Sequence, residues 1–176
     1  MSEQIYTFKT IVIGPAAVGK SSLIRRFVEN QFSLHYKFTI GVDFMSKTVD
    51  YETGKSAKLT LWDIGGQERF KVLRRSFYEG TNGAIVVFDL SRAGTFSKMK
   101  EWLSDVRQAI EIDFPALIVG NKSDLIPEIG VVIDRNEVEQ YIKKENTIYI
   151  ETSAKTGDNV EKAFLELTQR MVQRCI

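Results

Sequence analysis

The segment GPAAVGKS, from Gly14 to Ser21, is the most informative part of this chain of 176 residues. It matches the pattern G-x-x-x-x-G-K-[ST], whose glycines let the backbone curl until its N–H groups face a chain of phosphates. The apolar run FKTIVIG (Phe8–Gly14) precedes it and predicts a buried strand, and a helical pattern over Ser22–Glu29 follows. Because the motif works in this strand–loop–helix context, a chance glycine turn is the weaker interpretation.

Two side chains of this loop have the chemistry that a metal–triphosphate complex needs. Lys20 supplies a positive charge to the terminal phosphates, and Ser21 offers a hydroxyl to Mg²⁺, a hard cation that takes oxygen ligands. The N-terminus of the following helix adds a dipole that favours anions. The loop alone predicts a nucleoside triphosphate without naming the base, since adenylate-type kinases and ATPases share it.

Strands and helices alternate along the rest of the chain. Ile40–Asp50 and Ser56–Asp63 alternate polar and apolar residues around the turn of YETGKS and predict a hairpin. Apolar segments predict further strands, and helical spacing or a capping box of Asp134 with Glu137 predicts helices between them. These strand segments are Gly83–Leu90, Leu117–Val119 and the start of Thr147–Lys155. The alternation predicts a mainly parallel sheet with helices on both faces, which binds ligands at the carboxyl ends of its strands.

The composition excludes several classes of protein. Hydrophobic residues make up 43% of the chain and charged residues 27%, as in a folded globular domain. The net charge of +1 favours neither nucleic acid nor a basic partner. The single cysteine, Cys175, excludes an internal disulfide, and no apolar run approaches the roughly 20 residues of a membrane span. The N-terminal segment has no secretory apolar core. We therefore expect one domain over residues 1–176.

Two polar tetrapeptides that follow predicted strands have the chemistry to read guanine. The carboxylate of Asp124, in NKSD, can accept the two adjacent N–H donors of guanine, which adenine lacks. Asn121 can either tie loops together or reach the base edge, and the stem of Lys122 can lie over the base. In TSAK, the backbone N–H of Ala154 can donate to guanine O6. Each tetrapeptide alone is a weak signal, but their order after the phosphate loop favours a guanine nucleotide.

With these segments in order, the chain resembles a small GTPase of the Ras superfamily over essentially its full length. The matching segments are GPAAVGKS, FTIGVDF, WDIGGQE, NKSD and TSAK. The resemblance to Rab proteins within that superfamily rests on Ile40–Phe44, Lys58–Trp62, Gln67–Phe70 and, loosely, Phe77–Gly80. It implies a P-loop three-layer α/β sandwich with a six-stranded sheet, one strand antiparallel, and five helices. It also implies a monomeric switch that cycles between Mg²⁺·GTP and GDP, hydrolyses GTP slowly alone and faster with an activating protein, and acts in membrane trafficking or signalling.

The resemblance assigns roles in two switch loops. Thr39 is expected to close on Mg²⁺ and the γ-phosphate, so its loop is ordered only while that phosphate is present. Asp63, fixed at a strand end, can hold a water on the metal. Gly66 has an N–H free to reach the γ-phosphate, and Gln67 can orient the attacking water without acting as a titrating base.

The resemblance thereby names three overlapping sets of site residues. The expected catalytic residues are Lys20, Thr39, Gly66 and Gln67, and the expected metal-site residues are Ser21, Thr39 and Asp63. Phe32 is expected against the guanine and Tyr36 over the phosphates. The full nucleotide-binding set is Gly14, Ala17, Val18, Gly19, Lys20, Ser21, Ser22, Phe32, Tyr36, Thr39, Gly66, Asn121, Lys122, Asp124, Ser153, Ala154 and Lys155.

Three features qualify this resemblance. The pair Ile64-Gly65 stands where Rab proteins have Thr-Ala; it resembles Arf-type proteins and is expected to add backbone freedom to the second switch. Ala16 replaces a glycine of Ras proteins, and its methyl group is expected to crowd Gln67 and slow hydrolysis somewhat. The arginines that follow are expected to be surface charges rather than an arginine finger supplied in cis. These are Arg69, Arg74 and Arg75.

The resemblance also predicts partners and location. Effector, exchange-factor and activating proteins are expected to bind residues 32–46 and 62–78, with an aromatic trio of Phe44, Trp62 and Phe77; core packing is the alternative reading of the trio. The sequence ends at QRCI, and Cys175 fits no standard lipidation signal. A cytoplasmic protein is therefore expected, peripheral at a membrane if a lipidated tail exists beyond this chain.

Two other functions compete with the switch. A nucleotide-locked scaffold would keep the fold without catalysis, but Lys20, Thr39 and Gln67 are all present. A P-loop kinase for a small metabolite would need a lid over its acceptor, and the base-reading NKSD argues against it.

Overall fold

A computed structural model describes residues 5–176, which form one six-stranded mixed sheet with helices on both faces. The strands lie in the order β2-β3-β1-β4-β5-β6; β2 is antiparallel to β3, and the other neighbours are parallel. The sequence-based fold class is therefore confirmed. The strands are β1 (Tyr6–Ile13), β2 (Val42–Glu52), β3 (Lys55–Ile64), β4 (Gly83–Asp89), β5 (Ala116–Asn121) and β6 (Ile148–Glu151).

Six α-helices occur in the described chain, one more than the five that the resemblance implied. They are α1 (Lys20–Glu29), α2 (Lys71–Arg74), α3 (Ala93–Ala109), α4 (Ile126–Ile129), α5 (Arg135–Glu145) and α6 (Val160–Gln173). The additional helix is α4, a single turn that a proline near its start favours and that Gly130 ends with a φ of 83°.

Each face of the sheet has its own apolar core. Side chains of α1 and α6, including the stacked rings of Phe27 and Phe164 at 3.9 Å, cover one face. Side chains of α3 and α5, including Met99, Trp102 and Val138, cover the other. Strands β4 and β5 are buried along their whole length, as expected for central parallel strands with helices on both sides.

One predicted capping box is only half formed. Asp134 caps α5, but its side chain accepts from the N–H of Asn136 at 2.9 Å. Glu137 does not return the bond; instead it pairs with Lys100 of α3 at 3.2 Å. Tertiary contact with the neighbouring helix thus takes the side chain that the local motif would have used.

The sheet positions the site. Strands β1, β3, β4, β5 and β6 end at the same edge, and β2 begins there because it runs antiparallel. Within residues 5–176, no helix is long and apolar enough to cross a bilayer. Residues 1–4 lie outside the described residues. Two predictions include them, namely that the domain spans residues 1–176 and that the N-terminal segment has no secretory apolar core.

Candidate nucleotide and metal site

A cleft of about 830 Å³ opens at the carboxyl edge of the sheet. The structure places most of the predicted site residues around it. Those that line the cleft are Ala17, Gly19, Lys20, Ser21, Ser22, Phe32, Tyr36, Thr39, Gly66, Gln67, Asn121, Lys122, Asp124, Ala154 and Lys155. Gly14, Val18, Asp63 and Ser153 do not line it and form the layer behind its wall.

Glycine is required at both ends of the phosphate loop. Gly14 has a φ of 144°, and a Cβ there would lie 2.2 Å from the carbonyl oxygen of Val87. Gly19 has a φ of 99°, and a Cβ there would lie 2.3 Å from Nδ2 of Asn121. The loop therefore lies too close to β4 and β5 to admit side chains at these positions.

Lys20 is buried at the start of α1 and is held by the loop itself. Its ammonium donates to the carbonyl oxygens of Gly14 and Pro15 at 2.9 and 2.8 Å. Burial lowers the pKa of Lys20 to about 8; Asp63 acts against the shift and Arg74 adds to it. An ammonium so poorly solvated is suited to receive a phosphate oxygen.

The pKa of Lys20 predicts a pH-dependent affinity for GDP. Phosphates raise this pKa in the complex, so above about pH 8 binding takes up a proton and the affinity falls as pH rises. Between pH 7 and pH 8.8, we expect the affinity for GDP to fall about sevenfold. Titration calorimetry in two buffers of different ionisation enthalpy measures the proton uptake directly. Guanosine monophosphate is the control, because it carries the same base without a β-phosphate; an equal loss of its affinity would contradict the role of Lys20.

Three predicted metal-site residues converge beside Lys20. Oδ2 of Asp63 accepts from the Ser21 hydroxyl and from the Thr39 hydroxyl, the latter at 3.3 Å, and the two hydroxyls lie 2.9 Å apart. Burial raises the pKa of Asp63, while Ser21 and Lys20 oppose the rise. Oδ1 of Asp63 is buried and has no hydrogen-bond partner among residues 5–176. Hard oxygens of two hydroxyls and an unsatisfied carboxylate fit Mg²⁺.

The base-reading loops are tied to the phosphate loop by Asn121. Its Nδ2 donates to the Val18 carbonyl at 3.0 Å, and its Oδ1 accepts from the Thr152 hydroxyl and the Ala154 N–H. The sequence left two roles open for Asn121, joining loops or contacting the base edge. The structure therefore supports the first role. Asp124 accepts from the Ser153 hydroxyl at 2.7 Å, which orients its carboxylate at the cleft.

The two switch loops meet through a glycine pair. The N–H of Gly65 donates to the carbonyl of Gly41 at 2.8 Å, and a Cβ at Gly65 would lie 2.4 Å from the carbonyl oxygen of Thr39. Packing therefore requires glycine at position 65, because only a residue without a Cβ lets the two loops approach each other so closely. Gly66 lies just as close to the phosphate loop: a Cβ there would come within 2.6 Å of the Ala16 nitrogen.

Gly65→Ala is therefore expected to weaken Mg²⁺-dependent nucleotide retention. The new Cβ must push the Thr39 backbone away, and overpacking of this kind corresponds to about a fivefold to hundredfold effect. The measurement is the GDP dissociation rate at saturating Mg²⁺ and in excess chelator. The rate should rise mainly with Mg²⁺ present, and an equal rise in chelator would contradict a role through Thr39.

The sequence was compared with known proteins, and a family model described as Ras family matches residues 9–173. The chain belongs to the Ras family. Ras-related protein Rab-4B from Rattus norvegicus, Homo sapiens and Mus musculus is 39% identical over 169 residues, which are 96% of this chain and 78% of each relative. The predicted membership of the Ras superfamily and the likeness to Rab proteins are confirmed, and this chain is a small GTPase.

One expectation about this Ras-family GTPase is wrong. Arg74 is not a surface charge: only 3% of it is exposed, and its guanidinium lies 3.7 Å from the centroid of the Trp102 ring. Its Nε and Nη1 have no hydrogen-bond partner in the described part of the chain. The turn of α2 directs Arg74 toward α3, where a flat guanidinium stacks on an indole. Arg69 and Arg75 do lie at the surface, where they bond to Gln67 and Asp105.

The aromatic trio of this GTPase is partly exposed. Phe44 is 52% exposed and packs edge-on against Trp62 with centroids 4.6 Å apart, and Nζ of Lys9 lies 3.6 Å from the Trp62 centroid. Phe77 is half-buried against the core on the α3 side. The trio therefore joins the core to the surface beside the switches.

Sequence reasoning missed a pair of charged residues after β4. Asp89 is fully buried at the end of that strand, and Arg92 reaches from it to the phosphate loop, donating to the carbonyl of Ala17 at 2.9 Å. The signal that could have found Asp89 is its position: like Asp63, it ends an apolar strand at the edge where ligands bind.

Proposed function

We propose that this small GTPase binds Mg²⁺·GTP, hydrolyses it slowly and is read by partner proteins through its two switch loops. One observation carries the proposal: a buried lysine, a cluster of hard oxygen donors and a carboxylate lie at the same cleft or directly behind its wall. These are Lys20, the cluster of Ser21, Thr39 and Asp63, and Asp124.

The phosphate loop and its lysine would bind the triphosphate. Gly19, Lys20 and Ser21 line the cleft at the start of α1, so their backbone N–H groups and the Lys20 ammonium would act on the β- and γ-phosphates. Ser21, Thr39 and Asp63 would hold Mg²⁺, which supplies charge neutralisation to the phosphates when bound. Hydrogen bonds that Lys20 makes to Gly14 and Pro15 would be exchanged for bonds to phosphate.

The base would be selected by Asp124 and its neighbours. A carboxylate held by Ser153 can accept both adjacent donors of guanine, while adenine would leave it unpaired. The Ala154 N–H donates to Oδ1 of Asn121 at 3.2 Å, a long hydrogen bond. Guanine O6 can therefore replace Oδ1 of Asn121 as the acceptor. Phe32, half-buried at the cleft, would cover one face of the base.

Hydrolysis would depend on positioning rather than on a base. Gly66 would donate its N–H to the γ-phosphate, and Gln67 would orient the attacking water. In this structure Arg69 donates to Oε1 of Gln67 at 2.9 Å, so the carboxamide must be released before it can hold the water. We therefore propose slow intrinsic hydrolysis that an activating protein accelerates.

Partners would read the nucleotide state at the switch surfaces. Residues 32–46 and 62–78 include exposed apolar side chains, among them Leu34, Ile40 and Val72, and lie beside the aromatic trio. The likeness to a Ras-related Rab protein supports membrane trafficking or signalling as the setting. We propose a cytoplasmic monomer that associates with a membrane through a lipidated tail if one exists beyond this chain.

The test begins with the nucleotide that accompanies the purified protein. Denaturation followed by chromatography should release GDP or GTP; adenine nucleotide would support the kinase alternative instead. Single-turnover hydrolysis of radiolabelled GTP then separates a switch from a nucleotide-locked scaffold. Wild-type protein should hydrolyse GTP slowly, Gln67→Leu should be slower still, and an unchanged nucleotide after prolonged incubation would contradict the switch.

A further inference from the structure

A strained residue lies in the middle of the phosphate loop. Ala17 has a φ of 64°, a left-handed backbone conformation that disfavours residues with a Cβ. Because Ala16, Ala17 and Gly19 of the same loop line the cleft, relaxation of Ala17 would change the shape of the cleft wall. Some contact must hold Ala17 in this conformation.

Two cations hold the carbonyl oxygen of Ala17. Nζ of Lys122 donates to it at 3.0 Å, and Nη2 of Arg92 donates to it at 2.9 Å. The same Nη2 also lies 3.3 Å from the carbonyl oxygen of Ala16. Arg92 therefore reaches two successive carbonyls of the loop, whereas Lys122 reaches one.

Asp89 fixes both cations. Its Oδ2 lies 2.8 Å from Nζ of Lys122 and 2.9 Å from Nε of Arg92, and Oδ1 accepts from the N–H and hydroxyl of Ser91. Burial alone would raise the pKa of Asp89, but the bonds from Lys122, Ser91 and Arg92 outweigh it and hold the pKa low. A charged, fully buried carboxylate thus orients the guanidinium, which binds Asp89 through Nε and the loop through Nη2.

Tyr36 of the first switch lines the same cleft as Ala17. Burial raises the pKa of the Tyr36 hydroxyl, and the Ala17 backbone and the charge of Arg92 oppose that rise. A change in the Ala16–Ala17 backbone would therefore alter the surroundings of both the nucleotide phosphates and the Tyr36 hydroxyl.

We propose that Arg92 is a positioning residue: anchored by Asp89, it holds Ala17 in its left-handed conformation and so sets how long the loop retains nucleotide phosphates. This rests on the proposed nucleotide binding. Arg92 acts through the loop backbone and needs no contact with the nucleotide. Its contribution is needed here because the loop carries alanine where glycine would adopt the same φ without strain.

The test is a double-mutant cycle between Arg92 and Ala17, read as the dissociation rate of a fluorescent GDP analogue. Arg92→Ala should accelerate release about tenfold, the effect of losing a charged hydrogen bond. In an Ala17→Gly background the same change should accelerate release less than about twofold, because glycine needs no support at this φ. Preference for GDP over xanthosine diphosphate should stay unchanged, since Arg92 does not touch the base-reading loops.

Two further variants distinguish a specific effect of Arg92 on nucleotide release from a general loss of folding. Arg92→Lys keeps a cation beside Asp89 but lacks the fork, so it should unfold at the wild-type temperature and release GDP at an intermediate rate. Arg170→Ala is the matched control: its side chain is 44% exposed against 47% for Arg92, and it also pairs with a carboxylate nearby in sequence, Glu166.

Two outcomes would overturn the proposal. One is release from Arg92→Ala within twofold of wild type and of Arg170→Ala. The other is equal acceleration by Arg92→Ala in the wild-type and Ala17→Gly backgrounds, which would make the contact independent of the strain. Failure of the proposed function would look different, because wild-type protein would then bind no guanine nucleotide at all.

Discussion

Gly66→Ala should retain GDP and lose about a hundredfold to a thousandfold in the rate of GTP hydrolysis, the usual effect of removing one transition-state donor. A Cβ at position 66 would lie 2.6 Å from the nitrogen of Ala16 and the carbonyl carbon of Pro15, and 2.7 Å from the carbonyl oxygen of Gly14. These are backbone atoms of the phosphate loop, so they cannot move aside as a flexible side chain would. The second switch must therefore retreat, and the N–H that we propose as a donor to the γ-phosphate should move out of reach.

Single-turnover hydrolysis and GDP affinity, measured on the same preparation, separate the two effects. Gly94→Ala is the matched control, because a Cβ there meets no described atom within 4 Å and its backbone is unstrained. That variant should behave as wild type in both assays. Hydrolysis by Gly66→Ala within about threefold of wild type would contradict the close approach of this loop to the phosphates.

Asp124→Asn should reverse the base preference of the protein. The carboxylate would accept two donors of guanine, whereas an amide presents an N–H₂ to one of them and leaves buried groups unpaired. Affinity for GTP should fall about a hundredfold to ten-thousandfold, the range in which polar sites reject a mismatched analogue. Xanthine has a carbonyl where guanine has its amino group, so xanthosine triphosphate should become the better ligand.

Competition between GTP and xanthosine triphosphate for the same fluorescent nucleotide measures this preference. Asp113→Asn is a suitable control: its carboxylate is exposed and pairs with Arg174, away from the cleft. An Asp124→Asn protein that still prefers GTP would exclude Asp124 as the base reader. The hydrogen bond from Ser153 can be kept by the asparagine oxygen, so folding should be preserved.

Much of the architecture could be predicted because short-range signals agree with it. Buried strands such as β4 and β5 read as continuous apolar runs, and the hairpin of β2 and β3 shows its alternation and turn. The phosphate loop can be recognised from sequence, because glycines and a lysine at this fixed spacing are rare outside phosphate-binding loops. Each of these signals is read from a single segment of the chain or from two adjacent segments.

The errors fall where distant residues compete for one side chain. Arg74 looks like any exposed arginine in sequence, and only the approach of Trp102 on α3 makes it a buried, stacked cation. Glu137 has the spacing of a capping box, but Lys100 takes its carboxylate. Local patterns cannot anticipate such partners, because the competing residue lies on another element.

Sequence alone was sufficient for the fold class, the family and the chemistry expected at the cleft, since these follow from backbone conformation and from the donors and acceptors that named side chains carry. The folded chain was needed to learn what surrounds those side chains. It shows that Asn121 ties loops together, that Gly65 brings two switches within 2.8 Å, and that Asp89 places Arg92 against a strained Ala17. These are packing distances between residues far apart in the chain, and they exist only once the sheet has brought its strand ends to a single edge.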